Sequence, residues 1–145
     1  NIMGARVRAM LLNLVYREKF DTSLFKSQFT GNAPHIDHIY PKARLKDIGL
    51  VGEEVNHLGN FRYVGAKDNI RKRAEHPDSY FSRLKKNGVP VERHLLAQPW
   101  ASEPHKLVLD KETYLAFRNE RAATILGIAQ RIVNPEIAGT STASP

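Results

Sequence analysis

Apolar residues near the start of the chain recur with the spacing of an α-helix. Within residues 4–19, Val7, Leu11, Leu14 and Val15 lie at positions i, i+4, i+7 and i+8. That spacing places them on one side of a helix, with charged residues on the other sides. The pattern predicts an amphipathic helix over about 4–19, with this apolar side packed against the rest of the protein.

Two further helices are predicted in the second half of the chain. The longer one covers residues 110–133, with Asp110 as a typical N-cap before the first apolar position. Its predicted apolar face consists of Leu115, Ala122, Ile125, Leu126, Ala129, Ile132 and Val133. The shorter one covers about 78–87, with Asp78 as its N-cap and Gly88 directly after its last turn.

The segments between these helices have the composition of connections. Residues 20–34 show little pattern and end in loop-forming residues, and residues 89–109 are interrupted by prolines and are predicted to be mostly loop. Residues 139–145 are small and polar and are predicted to be a disordered tail. A chain of 145 residues suits one domain, which we place at 1–138 with a mostly helical α+β fold.

In the centre of the chain the pattern changes from helical spacing to alternation. The stretch His35–Tyr40 alternates polar and apolar residues over most of its length, which predicts a short strand anchored by Ile36 and Ile39. Pro41 ends the strand because proline has no backbone N–H for the ladder. The run Phe61–Val64, rich in aromatic and β-branched residues, predicts a second short strand.

Composition narrows the possible functions. The chain contains no cysteine, which excludes a disulfide framework and a cysteine-based zinc site and is compatible with the cytoplasmic location that we expect. No stretch approaches the roughly 18 apolar residues of a membrane span, so we expect no membrane partner. The formal net charge of +7 favours a polyanionic partner, above all nucleic acid.

The central stretch also carries residues capable of phosphodiester hydrolysis. A histidine, with an unperturbed pKa of roughly 6.5, can take a proton from water, and a divalent cation such as Mg²⁺ prefers oxygen ligands. His38 and Asp37 are adjacent, so on a strand they point to opposite faces. A carboxylate buried without a partner is costly, which favours a metal beside Asp37. Downstream, Asn60 is a candidate for fixing the histidine, and Asn69 or its neighbour Asp68 is a candidate second oxygen ligand.

Three pieces of sequence, "HIDHIYPKARL", "VNHLGNFRYV" and "KDNIRKR", together resemble the HNH nucleases of the ββα-metal (His-Me finger) group. The shared features are Asp-His-x-x-Pro, then Gly-Asn before a short β run, then Asn nine residues later. The last asparagine replaces the final histidine of the family name, as in the HNH domain of CRISPR effector nucleases. The flanks, including "YLAFRNERAATIL", resemble the C-terminal nuclease domain of GmrSD-type modification-dependent restriction proteins.

The resemblance implies a ββα-metal core over residues 34–74, flanked by helices, and a metal-dependent DNA endonuclease. It implies His38 as the general base, Asp37 and Asn69 as ligands of Mg²⁺ or Mn²⁺, and Asn60 as the residue orienting the loop that holds the histidine. Asp68 stays open as the alternative to Asn69. The GmrSD-like flanks imply anti-phage restriction, with phage or modified DNA as the partner and an N-terminal sensor or NTPase domain in the full-length chain.

Basic residues near the core are candidates for contacts with DNA phosphates. Residues 62–73 contain five basic residues and one acidic residue, a local excess suited to a phosphate backbone. The candidates are Lys42, Arg44, Arg71, Lys72 and Arg73. The alternative for such a run is a solvated helix face. The remaining histidines are expected at the surface or in packing: His35, His57, His76, His94 and His105. We expect Trp100 to be a packing anchor.

Two other classes of function stay open. The first is a non-catalytic DNA-binding module that has kept the ββα shape, although the presence of Asp37, His38 and Asn69 together favours an enzyme. A structural or interaction domain, whose positive charge serves only solubility, is the second alternative. A zinc hydrolase built on His35, Asp37 and His38 is disfavoured, since these residues are too close along a strand to complete a site without a distant ligand.

Overall fold

The computed structural model describes residues 2–19 and 34–136 of the chain. The predicted connection up to residue 33 and the predicted tail at 139–145 therefore lie outside the described residues. Within them, the helices are α1 (Ile2–Lys19), α2 (Lys42–Asp47), α3 (Ala66–Lys72), α4 (Pro77–Lys86), α5 (Glu92–Leu95), α6 (Pro99–Ser102) and α7 (Lys111–Val133), and the strands are β1 (Pro34–His38) and β2 (Phe61–Gly65). None of these helices has the length and apolarity that crossing a bilayer requires.

The two predicted strands form an antiparallel pair. In their register Asp37 lies opposite Arg62 and His38 opposite Phe61. Helix α3 begins directly after β2 and packs against both strands. The described residues thus form a mostly helical α+β structure with one two-stranded antiparallel sheet, which confirms the coarse fold class predicted from the sequence.

The prediction that Ile36 and Ile39 anchor β1 in the core is confirmed for Ile39 and wrong for Ile36. Ile39 is fully buried, but Ile36 is 45% exposed. The strand ends at His38, and Ile39 lies in the bend that follows, where its N–H donates to the Asn60 carbonyl at 2.8 Å. Ile36 and Ile39 are three residues apart, so the alternation of a strand already places their side chains on opposite sides, and only the Ile39 side faces the core.

Buried apolar side chains form two clusters, and α7 contributes to both. The first cluster lies between α2, α4 and the start of α7 and includes Tyr40, Leu45, Phe81, Tyr114 and Phe117. The second joins α1, β2 and the later part of α7 and includes Leu12, Val15, Phe61, Ile125 and Ile128. The end of β1 and the start of β2 are therefore held between two packed cores.

Helix α1 forms over the predicted residues, but its buried face is rotated. Val7 is 43% exposed, whereas Leu12, Val15 and Tyr16 are buried. The Tyr16 hydroxyl accepts a hydrogen bond from the Tyr63 backbone N–H at 2.9 Å, and the two rings pack edge to face with their centroids 5.0 Å apart. This contact with β2 turns the helix toward its tyrosine side, which aliphatic spacing alone does not show.

Helix α7 begins as predicted, since Asp110 Oδ1 accepts from the Thr113 N–H at 2.8 Å. Its predicted apolar face is wrong in part, because Leu126 is 43% and Val133 71% exposed. The fully buried Arg121 takes a place on the inner face instead. Its guanidinium donates to the backbone carbonyls of Leu58, Gly59, Phe61 and His94.

The turn before β2 approaches α7 very closely. A Cβ atom added to Gly59 would lie 1.8 Å from the Arg118 carbonyl oxygen, so only glycine fits at this point. Arg121 donates hydrogen bonds to the Leu58 and Gly59 carbonyls of the same turn, and burial lowers the pKa of its guanidinium to about 10. Nε of Arg121 is buried and has no hydrogen-bond partner among the described residues. Gly59 and Arg121 together fix the turn that leads into β2.

The second half of the chain is more helical than predicted. Helix α4 has His76 at its N-cap position and Pro77 in its first turn, so Asp78 is not the N-cap; Asp78 accepts from the next N–H, of Ser79, at 2.8 Å. Proline suits a first helical turn because it lacks only an N–H that would be unpaired there. Segment 89–109 contains α5, α6 and a 3₁₀ turn at Pro104–Lys106 rather than mostly loop.

Trp100 packs as predicted. Its ring meets the Phe117 ring edge to face with the centroids 5.8 Å apart, and its Nε1–H donates to Glu120 at 3.0 Å. The side chain is half-buried against the first core cluster. Trp100 therefore fixes α6 to α7.

Candidate active site

The end of β1 places Asp37 and His38 side by side. Asp37 is buried and His38 is half-buried. Adjacent strand residues point to opposite faces, and the two side chains accordingly have entirely different neighbours. Asp37 contacts charged residues from β2 and α3, whereas His38 contacts the loop before β2.

The carboxylate of Asp37 is neutralised by two buried cations. Its Oδ2 accepts from Arg62 Nε at 2.8 Å and from Lys72 Nζ at 2.7 Å. Both cationic side chains are fully buried. Arg62 and Lys72 compensate the charge of Asp37, so the burial of this carboxylate does not by itself favour a metal, and the metal stays a prediction. No described residue hydrogen-bonds to Oδ1, which leaves one carboxylate oxygen for another partner.

Arg62 connects Asp37 to a wider buried network. Its Nη1 donates to His94 Nδ1 at 2.9 Å and its Nη2 to the Tyr80 hydroxyl at 2.8 Å. The guanidinium also faces the Tyr80 and Phe81 rings, with Cζ 4.9 and 5.1 Å from their centroids. The sequence analysis missed this residue, although pairing the two predicted strands in register would have placed Arg62 opposite Asp37.

His94 is half-buried and accepts a hydrogen bond from Arg62, so it packs on the interior side of the site as one of the two predicted alternatives, surface or packing. Arginine can only donate, so Nδ1 of His94 carries no proton and the imidazole is neutral. Burial, and after it the charge of Arg62, lowers the pKa of His94 to about 3. The ring therefore stays neutral at physiological pH, as its contact with Arg62 requires.

Lys72 does not lie where a phosphate contact was predicted. The side chain is 2% exposed, and Nζ contacts Asp37 Oδ2, the His38 carbonyl and the Ile39 carbonyl, the last at 3.3 Å. Burial lowers the pKa of its ammonium to about 8, although Asp37 acts in the opposite direction. Contrary to the prediction for this residue, its charge is directed at the end of β1 and has no surface to offer a DNA backbone in this structure.

The other candidate phosphate contacts lie at or near the surface. Lys42, Arg71 and Arg73 are exposed, and Arg44 is half-buried. Arg44 Nε donates to the Ala74 carbonyl at 2.9 Å, which joins α2 to the residues after α3. These four positions stay predictions for contact with nucleic acid.

His38 is held by a residue that the sequence analysis did not select. Its Nε2 donates to Asn56 Oδ1 at 3.0 Å. The imidazole also packs on the Phe61 ring, with the centroids 4.8 Å apart and the planes at 54°. No described residue hydrogen-bonds to Nδ1, so this nitrogen is open to a ligand. No spacing signal marks Asn56, because it meets His38 only through the folded loop.

Asn60 is fully buried, and both the oxygen and the nitrogen of its side-chain amide form hydrogen bonds. Its Oδ1 accepts from the Tyr40 N–H at 2.8 Å, and its Nδ2 donates to the carbonyls of Tyr40 and Val55, each at 3.1 Å. Asn60 therefore joins the chain directly after His38 to the segment that ends at Val55.

Both candidates for the second ligand lie on α3, one turn before Lys72. Residues three or four apart on a helix are neighbours, so Asn69 and Asp68 lie beside Lys72, whose Nζ contacts Asp37. Asn69 is half-buried and Asp68 exposed, and neither side chain hydrogen-bonds to another described residue. Asp68 also lines a cavity of about 270 Å³ between α3 and α4. Both residues stay candidates.

The donor set fits a hard cation with few protein ligands. Among the described residues no group of three or more His, Cys, Asp and Glu side chains is arranged for a metal. Mg²⁺ commonly takes one or two protein oxygens and fills its other positions with water and phosphate oxygens. Oδ1 of Asp37 with one oxygen from Asn69 or Asp68 would meet that minimum, whereas the described residues hold no cluster of the kind that binds zinc through protein ligands alone.

Among the described residues, the other histidines predicted at the surface or in packing belong to no cluster of three or more His, Cys, Asp and Glu side chains. His35, His76 and His105 are exposed. His57 is half-buried, and its Nδ1 accepts from the Gly59 N–H at 3.2 Å. Burial lowers the pKa of His57, with Arg118 adding to the effect. These positions agree with roles in packing or at the surface.

Comparisons of the chain with protein-family models, curated proteins and solved structures give no match. The likeness to HNH nucleases therefore rests on the motifs of residues 34–73. A functional assignment has to be argued from the site itself.

Proposed function

We propose that this chain is a metal-dependent endonuclease domain of the HNH type, with a ββα-metal core at 34–74, that nicks or cleaves DNA. One observation carries the proposal. At the end of β1, His38 has one ring nitrogen anchored and the other open, directly beside Asp37, whose Oδ1 is also open. A base and an oxygen ligand at adjacent positions are the minimum that metal-assisted phosphodiester hydrolysis requires.

In this proposal His38 Nδ1 takes the proton of a water that attacks phosphorus in line. Asn60 keeps the chain after His38 in place through its bonds to Tyr40. Asp37 and Asn69 would hold Mg²⁺ or Mn²⁺, which when bound supplies positive charge for the phosphate and the leaving 3′ oxygen. The resemblance implies products with 5′-phosphate and 3′-hydroxyl ends.

The proposed substrate is DNA because the chain is basic and several basic residues at or near the surface are close in sequence to the candidate site residues. Lys42, Arg71 and Arg73, with the half-buried Arg44, are the proposed phosphate contacts. On the GmrSD-like flanks we also propose a role in anti-phage restriction in the cytoplasm, with phage or modified DNA as substrate. In the full-length chain, a separate N-terminal sensor or NTPase domain would recognise the modified DNA or hydrolyse nucleotide.

The decisive test is a plasmid nicking assay with Mg²⁺, Mn²⁺ or EDTA, comparing the wild type with His38→Ala. We expect metal-dependent nicking by the wild type and none by the variant, with DNA binding and melting temperature close to the wild type. His35→Ala is the matched control, since His35 is an exposed histidine on the same strand. Nicking by His38→Ala at the wild-type rate would contradict the assignment.

Asp37 is a poor choice for this test. Its removal leaves Arg62 and Lys72 buried without a counterion, and breaking a buried ion pair in this way costs about 3–5 kcal/mol. Loss of activity in an Asp37 variant would therefore mix chemistry with unfolding. His38 loses only one side-chain hydrogen bond and one ring contact when truncated.

A non-catalytic DNA-binding module is the second candidate, and the same ion pair favours it. Arg62 and Lys72 give the Asp37 carboxylate a structural role that needs no metal. DNA retention that weakens with salt, together with no nicking in any metal, would select this candidate. Complete absence of DNA binding at low salt would instead favour an interaction domain.

A further inference from the structure

We propose that Asn56 is the positioning residue of the candidate general base. Its side chain would fix both the tautomer and the ring orientation of His38. The inference rests on the proposed nuclease function and extends it to Asn56, a residue to which the resemblance assigns no role.

The contact itself defines the tautomer. An amide oxygen only accepts hydrogen bonds, so the bond from His38 Nε2 to Asn56 Oδ1 at 3.0 Å places the ring proton on Nε2. The lone pair of the neutral ring then lies on Nδ1. This is the nitrogen that no described residue contacts, and it is the only ring position from which His38 can accept a proton from water.

Asn56 can direct His38 because its own position is fixed. The Asn56 N–H donates to the Gly52 carbonyl at 2.9 Å. Glu54, two residues earlier, has its carbonyl bound by the Tyr114 hydroxyl at 2.5 Å and by Arg118 Nη1 at 2.7 Å, both from α7. The asparagine therefore lies on a short segment attached to the longest described helix.

Asn60 links this segment to the chain on the other side of His38. It donates to the carbonyl of Val55, the residue before Asn56, and to that of Tyr40, two residues after His38. One buried amide thus sets the distance between the base and its orienting partner. Phe61 adds a contact on the ring face, which leaves the Nδ1 edge as the free side.

Loss of such an orienting contact lowers the rate without removing the base. Partners that orient a reactive side chain typically contribute about 10–100-fold, and a misplaced group reduces the fraction of productive geometries. For Asn56→Leu, which keeps the approximate size and removes the acceptor, we expect single-turnover nicking to fall roughly 10–100-fold at saturating DNA. DNA affinity should stay unchanged, because Asn56 touches no candidate phosphate contact.

The experiment compares Asn56→Leu, Asn56→Asp and the control Asn119→Leu, an exposed asparagine on α7. Asn56→Asp keeps an acceptor oxygen for His38 Nε2, so we expect it to recover most of the rate. Nitrogen-15 spectra of the metal-free protein report the His38 tautomer independently of activity. We expect one Nε2–H tautomer in the wild type and in Asn56→Asp, and a mixture in Asn56→Leu.

Wild-type rate and an unchanged tautomer in Asn56→Leu would overturn the inference. So would a rate loss that follows a lower melting temperature and is not recovered by Asn56→Asp, since that pattern indicates a purely structural residue. If the wild type itself does not nick DNA, the proposed function fails. The tautomer spectra then still decide whether Asn56 orients the His38 ring.

Discussion

Replacing Asn60 with alanine removes three hydrogen bonds from a fully buried position. The groups left without partners are the N–H and carbonyl of Tyr40 and the carbonyl of Val55. Tyr40 is itself fully buried within the first core cluster. None of these backbone groups can turn toward solvent unless the bend after β1 opens.

The expected loss of stability follows from that count. A buried polar group without a partner costs about 1–3 kcal/mol, so three of them predict a loss of roughly 3–6 kcal/mol when some relaxation is allowed. Domains of this size are stable by about 5–15 kcal/mol. At roughly 3 °C per kcal/mol, the melting temperature should fall by about 9–18 °C.

The assay is thermal and urea unfolding of Asn60→Ala beside Asn69→Ala. Asn69 is the matched control, because it belongs to the same motif but its side chain makes no hydrogen bond to another described residue. Truncation of Asn69 should change stability by less than about 0.5 kcal/mol. Under the proposed function it should nevertheless abolish metal-dependent nicking, whereas Asn60→Ala should keep part of its activity well below its melting temperature.

The outcomes separate the two asparagines. An Asn60→Ala variant that melts with the wild type would refute the reasoning, since the three backbone groups would then have other partners. Equal destabilisation by Asn69→Ala would show that Asn69 has a packing role. Full nicking activity in Asn69→Ala would remove it as a ligand and leave Asp68 to be tested.

The other predictions concern packing, pH and salt. Gly59→Ala should destabilise the fold by about 2 kcal/mol or more in urea, because its Cβ would collide with the α7 backbone, whereas Gly127→Ala, with space beside it, should be neutral or stabilising. The pKa of His94 in the folded protein is about 3, so between about pH 6.5 and pH 3 only the unfolded chain takes up a proton at this residue. The free energy of unfolding should therefore fall by a few kcal/mol as the pH is lowered through that window, and it should fall less in His94→Gln. Equal acid unfolding curves for the two proteins would contradict this. Arg71→Ala should lower the log–log salt slope of DNA binding by about 0.9, while Lys72→Met should leave that slope unchanged and alter stability instead.

Elements with local signals were predictable from the sequence. The start of α7 depends on one capping residue, Asp110, and so needs no tertiary information. Strand β1 ends at His38, three residues before Pro41, so the proline marks the end of this segment only approximately. The buried faces were less predictable. On α1 the buried face includes Tyr16, whose hydroxyl accepts a hydrogen bond from the β2 backbone. On α7 the buried face includes Arg121, whereas Leu126, which hydrophobicity places on that face, is exposed.

The residues of the candidate site also differ in whether the sequence alone could reveal them. Asp37, His38, Asn60 and Asn69 were selected because their order and spacing are visible in the sequence. The partners that give the first two their positions were missed. Arg62 and Asn56 meet Asp37 and His38 only after strand pairing and loop closure, and a run of basic residues does not reveal which lysine is buried.

The two oxygens of Asp37 account for the opposing interpretations of the site. Oδ2 holds Arg62 and Lys72 and so fastens α3 to the strand pair, which is a structural role. Oδ1 remains open, which is what a metal ligand needs. The three charges already sum to +1, so a divalent cation at Oδ1 would meet net repulsion until a phosphate adds negative charge. For a nuclease this favours binding of metal and DNA together, because the backbone of the substrate completes the charge balance that the protein alone leaves positive.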